Sequence, residues 1–401
     1  MSDHIIAYCE TPLQTRIAAR VASVSGTPEK FSILIGNWTD DVGQHEAAAQ
    51  TALKLEILEA GEPSLTPKAR WRHVCDATES FFRGGMRRLV MFQDQHFFSQ
   101  AVVTGARRAG AAYDLIQDGF LDFDMRRVPA PMRALWPVAK AVDRNGPRQP
   151  STRIRPFAYK KLYLSHFFAH TRPDRIFVYG RSIAARLEKQ FGIPPESFIV
   201  SGPALERPAP PDAVRPLRNQ GDMRVIFFDQ CFLRYQRMHK SGWSDEYLPV
   251  IDALGNFHTD VKLHPAQTED CVSDIVSTLA GRGEMLDRSP IAESVLDTYD
   301  VAVTCTSTSF LDCLTLGIPV IFVDLSSSFD RMPLTKSPLL KNVASIPALE
   351  RVLRLRKTGE FEANATGLPL IDLIAYDAGG ASLIASHLTD AGPAQQHPAR
   401  E

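Results

Sequence analysis

Apolar residues in this chain gather in short runs. Each run is followed by a stretch in which they recur every three or four positions, the spacing of one helix face. In the first half the runs predict strands at Ile5–Cys9, Phe31–Gly36, Arg72–Cys75, Arg87–Phe92, from Tyr113 to a break at Gly119, Arg175–Gly180 and Phe198–Ser201. The stretches between them predict helices from Thr11 and Pro12 through Val24, then Gln44–Glu59, Phe97–Arg108 and Ser182–Gln190. Thr11 is placed to cap the first of these, with Pro12 at its first position. The alternation restarts with strands at Met223–Phe228, Asp260–His264, Glu284–Leu286, Tyr299–Thr304 and Val320–Asp324. Helices are expected at Tyr247–Ala253, Gln267–Leu279, Pro290–Leu296, Phe310–Leu316, Pro347–Leu355 and Ala381–His387. Strand and helix taking turns in this way imply a parallel sheet covered on both faces, built twice.

Between the two trains lies Pro203–Gly221, with prolines at 203, 208, 210, 211 and 216 and little apolar patterning. The expected division is a first Rossmann-like domain over residues 1–205, a proline-rich linker over 206–221, a second Rossmann-like domain over 222–389 and a loose tail over 390–401. The first domain carries an insert of a different kind, about 125–175. From Met125 to Arg175 there are twelve Lys or Arg against two acids, Asp143 and Asp174, with Trp136, Phe157, Tyr159, Tyr163, Phe167 and Phe168 interleaved. Two readings stand for it: contact with an anionic membrane surface or an acidic substrate chain, or a solvated helical insert packed on the first domain.

With 401 residues there is material for more than one core. A formal net charge of -1 argues against nucleic acid as a partner. The six cysteines show no metal-ligand spacing, and Cys305 and Cys313 read as reduced core residues of a cytosolic protein. No apolar run approaches the roughly 18 residues of a membrane span, so a cytoplasmic location is expected, with peripheral contact to the inner membrane through 125–175 left open.

The candidate chemistry sits at the carboxyl ends of the strands, where open α/β sheets bind ligands. Neither G-x-G-x-x-G nor a P-loop occurs, which argues against a nicotinamide dehydrogenase and an ATPase. The strand ends offer Glu10, Asn37, Gln93, Asp94, Asp118 and Gly180 in the first half. In the second they offer Gln230, His264, Thr306, Ser307, Thr308 and Ser309. The hydroxyl cluster precedes a helix and either seats a phosphate or caps that helix. His264, before the rigid Pro265, either closes a strand or gives a proton or hydrogen bond to a phosphate oxygen.

Tyr113-Asp-Leu-Ile-Gln-Asp-Gly119, Val261-Lys-Leu-His-Pro265 and Thr306-Ser-Thr-Ser309 together resemble three signatures of bacterial GT-B-fold sialyltransferases: an acidic pair before glycine, a His-Pro motif and a Ser/Thr pair. Cys9-Glu-Thr-Pro-Leu-Gln14 is similar to the opening of the lipooligosaccharide sialyltransferase and polysialyltransferase relatives. The resemblance spans about residues 4–330. It implies an α/β protein of GT-B type, two doubly wound Rossmann-like domains facing across a cleft. It also implies an inverting transferase without metal or other cofactor, moving a sialic-acid-like sugar from a CMP-activated donor to an acidic glycan, glycolipid or glycoprotein acceptor. On that resemblance His264 meets the donor phosphate and Pro265 shapes its turn. Ser307, Thr308 or Ser309 binds the same phosphate, Gln230 lines the nucleotide pocket, and the acidic motif supplies the base. Here the sequence departs, because Gln117 stands where the family has the first acid. Asp118 is the candidate base, with Asp114 and Asp122 behind it.

Three other readings compete. One is a GT-B transferase of UDP- or GDP-sugars, with Asp312 gripping the ribose. Another is a nucleotide-sugar epimerase or phosphosugar enzyme on the same paired folds. The third is a non-catalytic partner in glycan assembly.

Overall fold

A computed structural model describes residues 4–38, 44–62, 64–94, 97–119, 173–218, 223–234, 237–328 and 330–389. Nearly all of the basic aromatic insert, Asp122 and the tail from 390 lie outside them. The chain divides into two compact units, one of residues 4–118, 173–206 and 374–389, the other of 207–373.

The first unit runs β1 (His4–Tyr8), α1 (Pro12–Val24), β2 (Phe31–Gly36), α2 (Gln44–Ala49), β3 (Lys54–Leu58), α3 (Pro67–Arg83), β4 (Met86–Met91), α4 (Phe97–Arg108), β5 (Ala112–Ile116), β6 (Arg175–Val178), α5 (Arg181–Phe191) and β7 (Phe198–Val200). All seven strands are parallel in the order β3-β2-β1-β4-β5-β6-β7. The order reverses beside β1, so β1 and β4 flank the point where connections leave in opposite directions. Thr11 caps α1, its hydroxyl accepting the Gln14 N–H at 3.3 Å.

Two expected elements differ. The helix expected over 44–59 is helical only to Ala49, and residues 54–58 form β3. Lys54-Leu-Glu-Ile-Leu58 is an edge strand paired only with β2, with Ile57 exposed and Leu58 buried. The strand expected at Arg72–Cys75 lies inside α3. Trp71, Val74, Cys75, Thr78 and Phe82 are buried at helical spacing, and Thr66 caps the Ala69 N–H at 3.2 Å with Pro67 next to it. A Cβ on Gly105 of α4 would stand 2.4 Å from the Cys75 carbonyl oxygen, so glycine permits the close approach of these two helices.

Residues 374–389, expected to close the second domain, complete the first unit. Helix Gly380–Thr389 buries Ala381, Ile384, Ala385 and Leu388 in one cluster with Ile17, Ala18, Val21 and Ala22 of α1. Burial of Ile384 and Leu388 stabilises by about 1.5–3 kcal/mol each. The returning chain is fixed by Ala375 N–H to the Tyr179 carbonyl at 2.8 Å and Gly380 N–H to the Ser201 carbonyl at 2.9 Å. Gly202, with φ at 71°, meets it so closely that a Cβ would lie 2.1 Å from the Ala375 oxygen.

The second unit runs β8 (Arg224–Phe228), α6 (Leu248–Leu254), β9 (His258–Lys262), α7 (Glu269–Leu279), β10 (Gly283–Leu286), α8 (Glu293–Leu296), β11 (Val301–Thr304), α9 (Phe310–Thr315), β12 (Val320–Val323), β13 (Thr335–Lys336), β14 (Leu340–Val343), α10 (Ile346–Lys357) and β15 (Leu368–Pro369). Its six-stranded parallel sheet has the order β10-β9-β8-β11-β12-β14, and β13 pairs with β15. Val301-Ala-Val-Thr304 and Val320-Ile-Phe-Val323 are buried throughout, as strands covered on both faces must be. The proline-rich stretch expected as a linker packs on this unit from Arg207 onward. Arg215 N–H bonds the Gly317 carbonyl at 3.1 Å and its guanidinium bonds Asp297 at 2.6 Å, while Arg218 N–H bonds Asp300 at 3.1 Å.

Candidate functional site

In the second unit the order reverses between β8 and β11, and the register brings their ends level. Phe228 pairs with both Thr304 and Lys262, so the residues that follow emerge together at one edge. Asp229, directly after β8, is 2% exposed. Its carboxylate accepts the Tyr247 hydroxyl at 2.6 Å, the Gln267 amide at 2.9 and 3.1 Å and the His264 N–H at 3.2 Å. Burial raises its pKa from the ordinary value, against the lowering effect of these donors. Tyr247 in turn accepts the Gln230 N–H at 2.9 Å. One carboxylate therefore ties the end of β8 to the turn after β9.

That turn is His264-Pro-Ala-Gln267, closed by Gln267 N–H to the His264 carbonyl at 3.0 Å, with Pro265 exposed at its second position, where a fixed φ suits it. The Ala266 N–H donates to His264 Nδ1 at 3.0 Å, and the Cys231 sulfur lies 3.2 Å from the same nitrogen. An Nδ1 that accepts an amide hydrogen carries none, so the proton of the neutral ring is on Nε2. Burial pulls the His264 pKa down to about 4, helped by the charges of Lys262 and Arg234. With that lowered pKa the ring is uncharged at neutral pH, and its Nε2–H is the group that can donate a hydrogen bond.

The hydroxyl turn divides its labour. The Thr304 hydroxyl accepts the Ser307 N–H at 3.1 Å and the Ser307 hydroxyl accepts the Ser309 N–H at 3.3 Å, so these two perform local capping. Thr306 donates to the Gln230 side-chain oxygen at 3.1 Å, joining the ends of β11 and β8. Residues 306–309 are all half-buried. Helix α9 is short, which leaves hydroxyls rather than a helix dipole as the turn's means of holding an anion. Asp312, the candidate ribose acid of the UDP or GDP reading, is bound by Arg207 at 2.6 Å.

The first unit has its own polar cluster beside β1 and β4. Glu10 is buried and accepts the Tyr8 hydroxyl at 3.1 Å, the Ser99 hydroxyl at 2.9 Å and the Gln93 amide. Gln14 accepts the Glu10 N–H and donates to Asp118, both at 2.6 Å. Asp118 is half-buried, whereas Gln117 is 1% exposed and accepts the Tyr179 N–H at 2.8 Å. Gln117 thus extends the β5–β6 ladder from inside the unit. Asp114 is not available as a base. It sits within β5, fully buried, bound by Arg88 and by Arg175 at 3.0 and 2.7 Å. Asn37 binds the Ala60 N–H at 3.0 Å, and Gln100 donates to the Asp94 carbonyl at 2.5 Å.

Asp229, Tyr247, Gln267 and Cys231 are the residues the sequence did not single out. The apolar run before Asp229 was a usable signal. The pairing of Tyr247 with Asp229 depends on how the helical stretch before Leu248 packs on the sheet, and no local pattern carries it. Among the described residues no cluster of three His, Cys, Asp or Glu side chains is arranged to hold a metal ion, and no helix is long and apolar enough to cross a membrane.

No protein-family model matches the chain, and no curated protein matches it. Solved structures do. A putative UDP-N-acetylglucosamine 2-epimerase from Listeria monocytogenes is 13% identical, with 98% of this chain and 99% of that one covered and a TM-score of 0.54. The S. aureus MnaA–UDP structure is 10% identical over 97% and 96%, with a TM-score of 0.56. The lipopolysaccharide outer core galactosyltransferase WaaB is 10% identical over 96% and 99%, with a TM-score of 0.53. None of the three is a sialyltransferase, and at such identities the likeness is one of fold. The chain has two Rossmann-like α/β domains of the GT-B fold.

Proposed function

We propose that this protein is a nucleotide-sugar enzyme, a glycosyltransferase whose donor phosphate is received at the carboxyl edge of the second sheet. What supports this reading is that His264, its Nδ1 engaged by the Ala266 N–H, and the hydroxyl turn lie at the same carboxyl edge of a Rossmann-like sheet, on either side of β8 and next to the point where the strand order reverses. In the reaction an acceptor hydroxyl oxygen attacks the anomeric carbon. The bond from that carbon to the phosphate oxygen breaks, and its electron pair stays on the oxygen. His264 Nε2–H donates to that oxygen, and a hydroxyl of Ser307, Thr308 or Ser309 donates to the same phosphate, stabilising the charge it gains. Gln230 and Thr306 line the nucleotide side, and Pro265 holds the His264 turn. The acceptor proton goes to a carboxylate, for which Asp118 is the candidate, and the anomeric configuration inverts.

For the donor, the Val-Lys-Leu-His-Pro and Thr-Ser-Thr-Ser motifs favour a CMP-activated, sialic-acid-like sugar and an acidic glycan, glycolipid or glycoprotein acceptor. A second reading, an enzyme of UDP-sugars such as an epimerase, is favoured by the fold neighbours named for UDP chemistry. Calorimetric titration of CMP, UDP and GDP separates them, with His264→Ala and Ser307→Ala alongside. Selective CMP binding, weakened about tenfold or more by either change, is the expected result. Selective UDP binding weakened by the same changes would keep the site and replace the donor class. Absence of nucleotide binding, or binding indifferent to both changes, would overturn the proposal.

A further inference from the structure

Arginines in the second unit are neutralised with regularity. Arg207 pairs with Asp312, Arg215 and Arg218 with Asp297, Arg224 with Asp260, Arg237 with Asp330, Arg282 with Asp252, Arg288 with Glu269, Arg331 with Asp324, Arg351 with Glu362 and Arg354 with Glu350. Arg356 is buried and donates to the Asp300 and Arg215 carbonyls at 3.2 and 2.8 Å. Among the described residues, that leaves Arg234 as the one arginine of this unit that is both exposed and without a carboxylate partner.

Its place is specific. Nη1 of Arg234 donates to the Ala266 carbonyl at 3.1 Å, and the N–H of the same Ala266 donates to His264 Nδ1. The guanidinium is therefore anchored to the turn that orients His264, and its charge reaches the ring, lowering the His264 pKa together with burial and Lys262. Lys262 is not an equivalent cation, because its ammonium is held by the Leu263 carbonyl at 3.0 Å and the Asp287 carbonyl at 2.6 Å. Nor does Asp229 neutralise Arg234, since both its oxygens are engaged by Tyr247, Gln267 and His264. A guanidinium has five N–H donors in a planar fork, and the bond to Ala266 uses one.

We propose that Arg234 determines specificity by recognising a two-oxygen anion of the bound donor, either its phosphate or a carboxylate on its sugar. The inference rests on the second unit being the donor site. An anchored fork matches the paired oxygens of such anions, and a lysine at the same place supplies charge without the fork.

The test is calorimetric titration of cytidine, CMP, UDP and CMP-N-acetylneuraminate into the full chain, its Arg234→Gln and its Arg234→Lys forms. Thermal melts confirm that each is folded. Arg234→Gln is expected to weaken the anionic ligands that bind by about tenfold or more and cytidine far less, with Arg234→Lys between. Equal losses for CMP and CMP-N-acetylneuraminate assign the arginine to the phosphate, and a greater loss for the latter assigns it to the sugar carboxylate. Anions that bind Arg234→Gln as they bind the native chain overturn this inference alone, as does a loss for cytidine as large as for CMP. A native chain that binds none of the compounds overturns the donor-site reading and this inference with it.

Discussion

The two units reverse their strand order in the same way and finish their central strands with opposite chemistry. Beside β1 and β4 the first unit gathers acids: Glu10 sheltered by Tyr8, Ser99 and Gln93, and Asp118 held by Gln14. Beside β8 and β11 the second unit has Asp229, turned inward and covered by donors, while the nearby Asp324 and Asp330 are paired with Arg331 and Arg237. It presents the His264 imidazole, hydroxyls and a guanidinium, Arg234, with no carboxylate partner among the described residues. The topology that creates a ligand-binding edge is thus indifferent to the ligand's charge. The residues placed one or two positions beyond each strand decide it. On the proposed function, the first edge would receive the proton of an acceptor hydroxyl and the second an anion.

The strongest way to break this contrast is to remove the inward acid. Asp229→Ala leaves the Tyr247 hydroxyl, the Gln267 amide and the His264 N–H without their shared acceptor, and urea denaturation should show a loss of about 2–4 kcal/mol. A loss under about 1 kcal/mol would mean that Asp229 does not organise the edge.

His264→Gln comes next. It should weaken nucleotide binding by about tenfold or more and also remove a pH dependence of stability. Because the folded pKa lies near 4 and the ordinary value is 6.5, the unfolded chain binds more protons between these limits. Stability therefore rises with pH across that window and is lost as pH falls from 6.5 toward 4. Asp229, with its raised pKa, contributes the opposite slope above its ordinary value of 3.8, so the difference between native and His264→Gln curves is the quantity to read. Parallel curves would count against a neutral His264.

Gln117→Glu places a carboxylate inside the first unit against the Tyr179 N–H. It should cost about 1–2 kcal/mol without raising turnover, because burial penalises the charge and the side chain is not at the edge. A gain in activity would show that the family's first acid acts from this position. The smallest effect is expected for Gln14→Leu, which removes the amide from both Asp118 and the Glu10 N–H and should lower kcat a few-fold at unchanged donor affinity, on the order of 1 kcal/mol. An equal change in donor binding would contradict a role confined to the first edge.

Most of the sheet strands were legible because parallel strands buried on both faces read as apolar runs, as Val301–Thr304 and Val320–Val323 do. The failures have physical causes. Lys54–Leu58 is a short edge strand that follows directly on a helix. Arg72–Cys75 has a local apolar pair that only the Thr66-Pro67 start signal resolves as helix. The C-terminal return was illegible, since the apolar face of Gly380–Thr389 fits either unit and only its packing on α1 decides. In the site, the strand-end residues could be named from the sequence, but their states could not. The Nδ1 acceptance that fixes His264 and the Gln117 bond that turns it inward are properties of a turn and of a neighbouring strand.

On the proposed function, a neutral His264, protonated on Nε2, stands at the second edge to receive a phosphate oxygen. Nitrogen NMR of histidine-labelled protein, assigned with His264→Gln, reads both the charge and the tautomer. The expected result is an Nε2–H ring that stays neutral down to a pH well below 6.5 and titrates toward about 4, with its Nε2 resonance moving when nucleotide is added. A ring that titrates near 6.5, or that carries its proton on Nδ1, would contradict it.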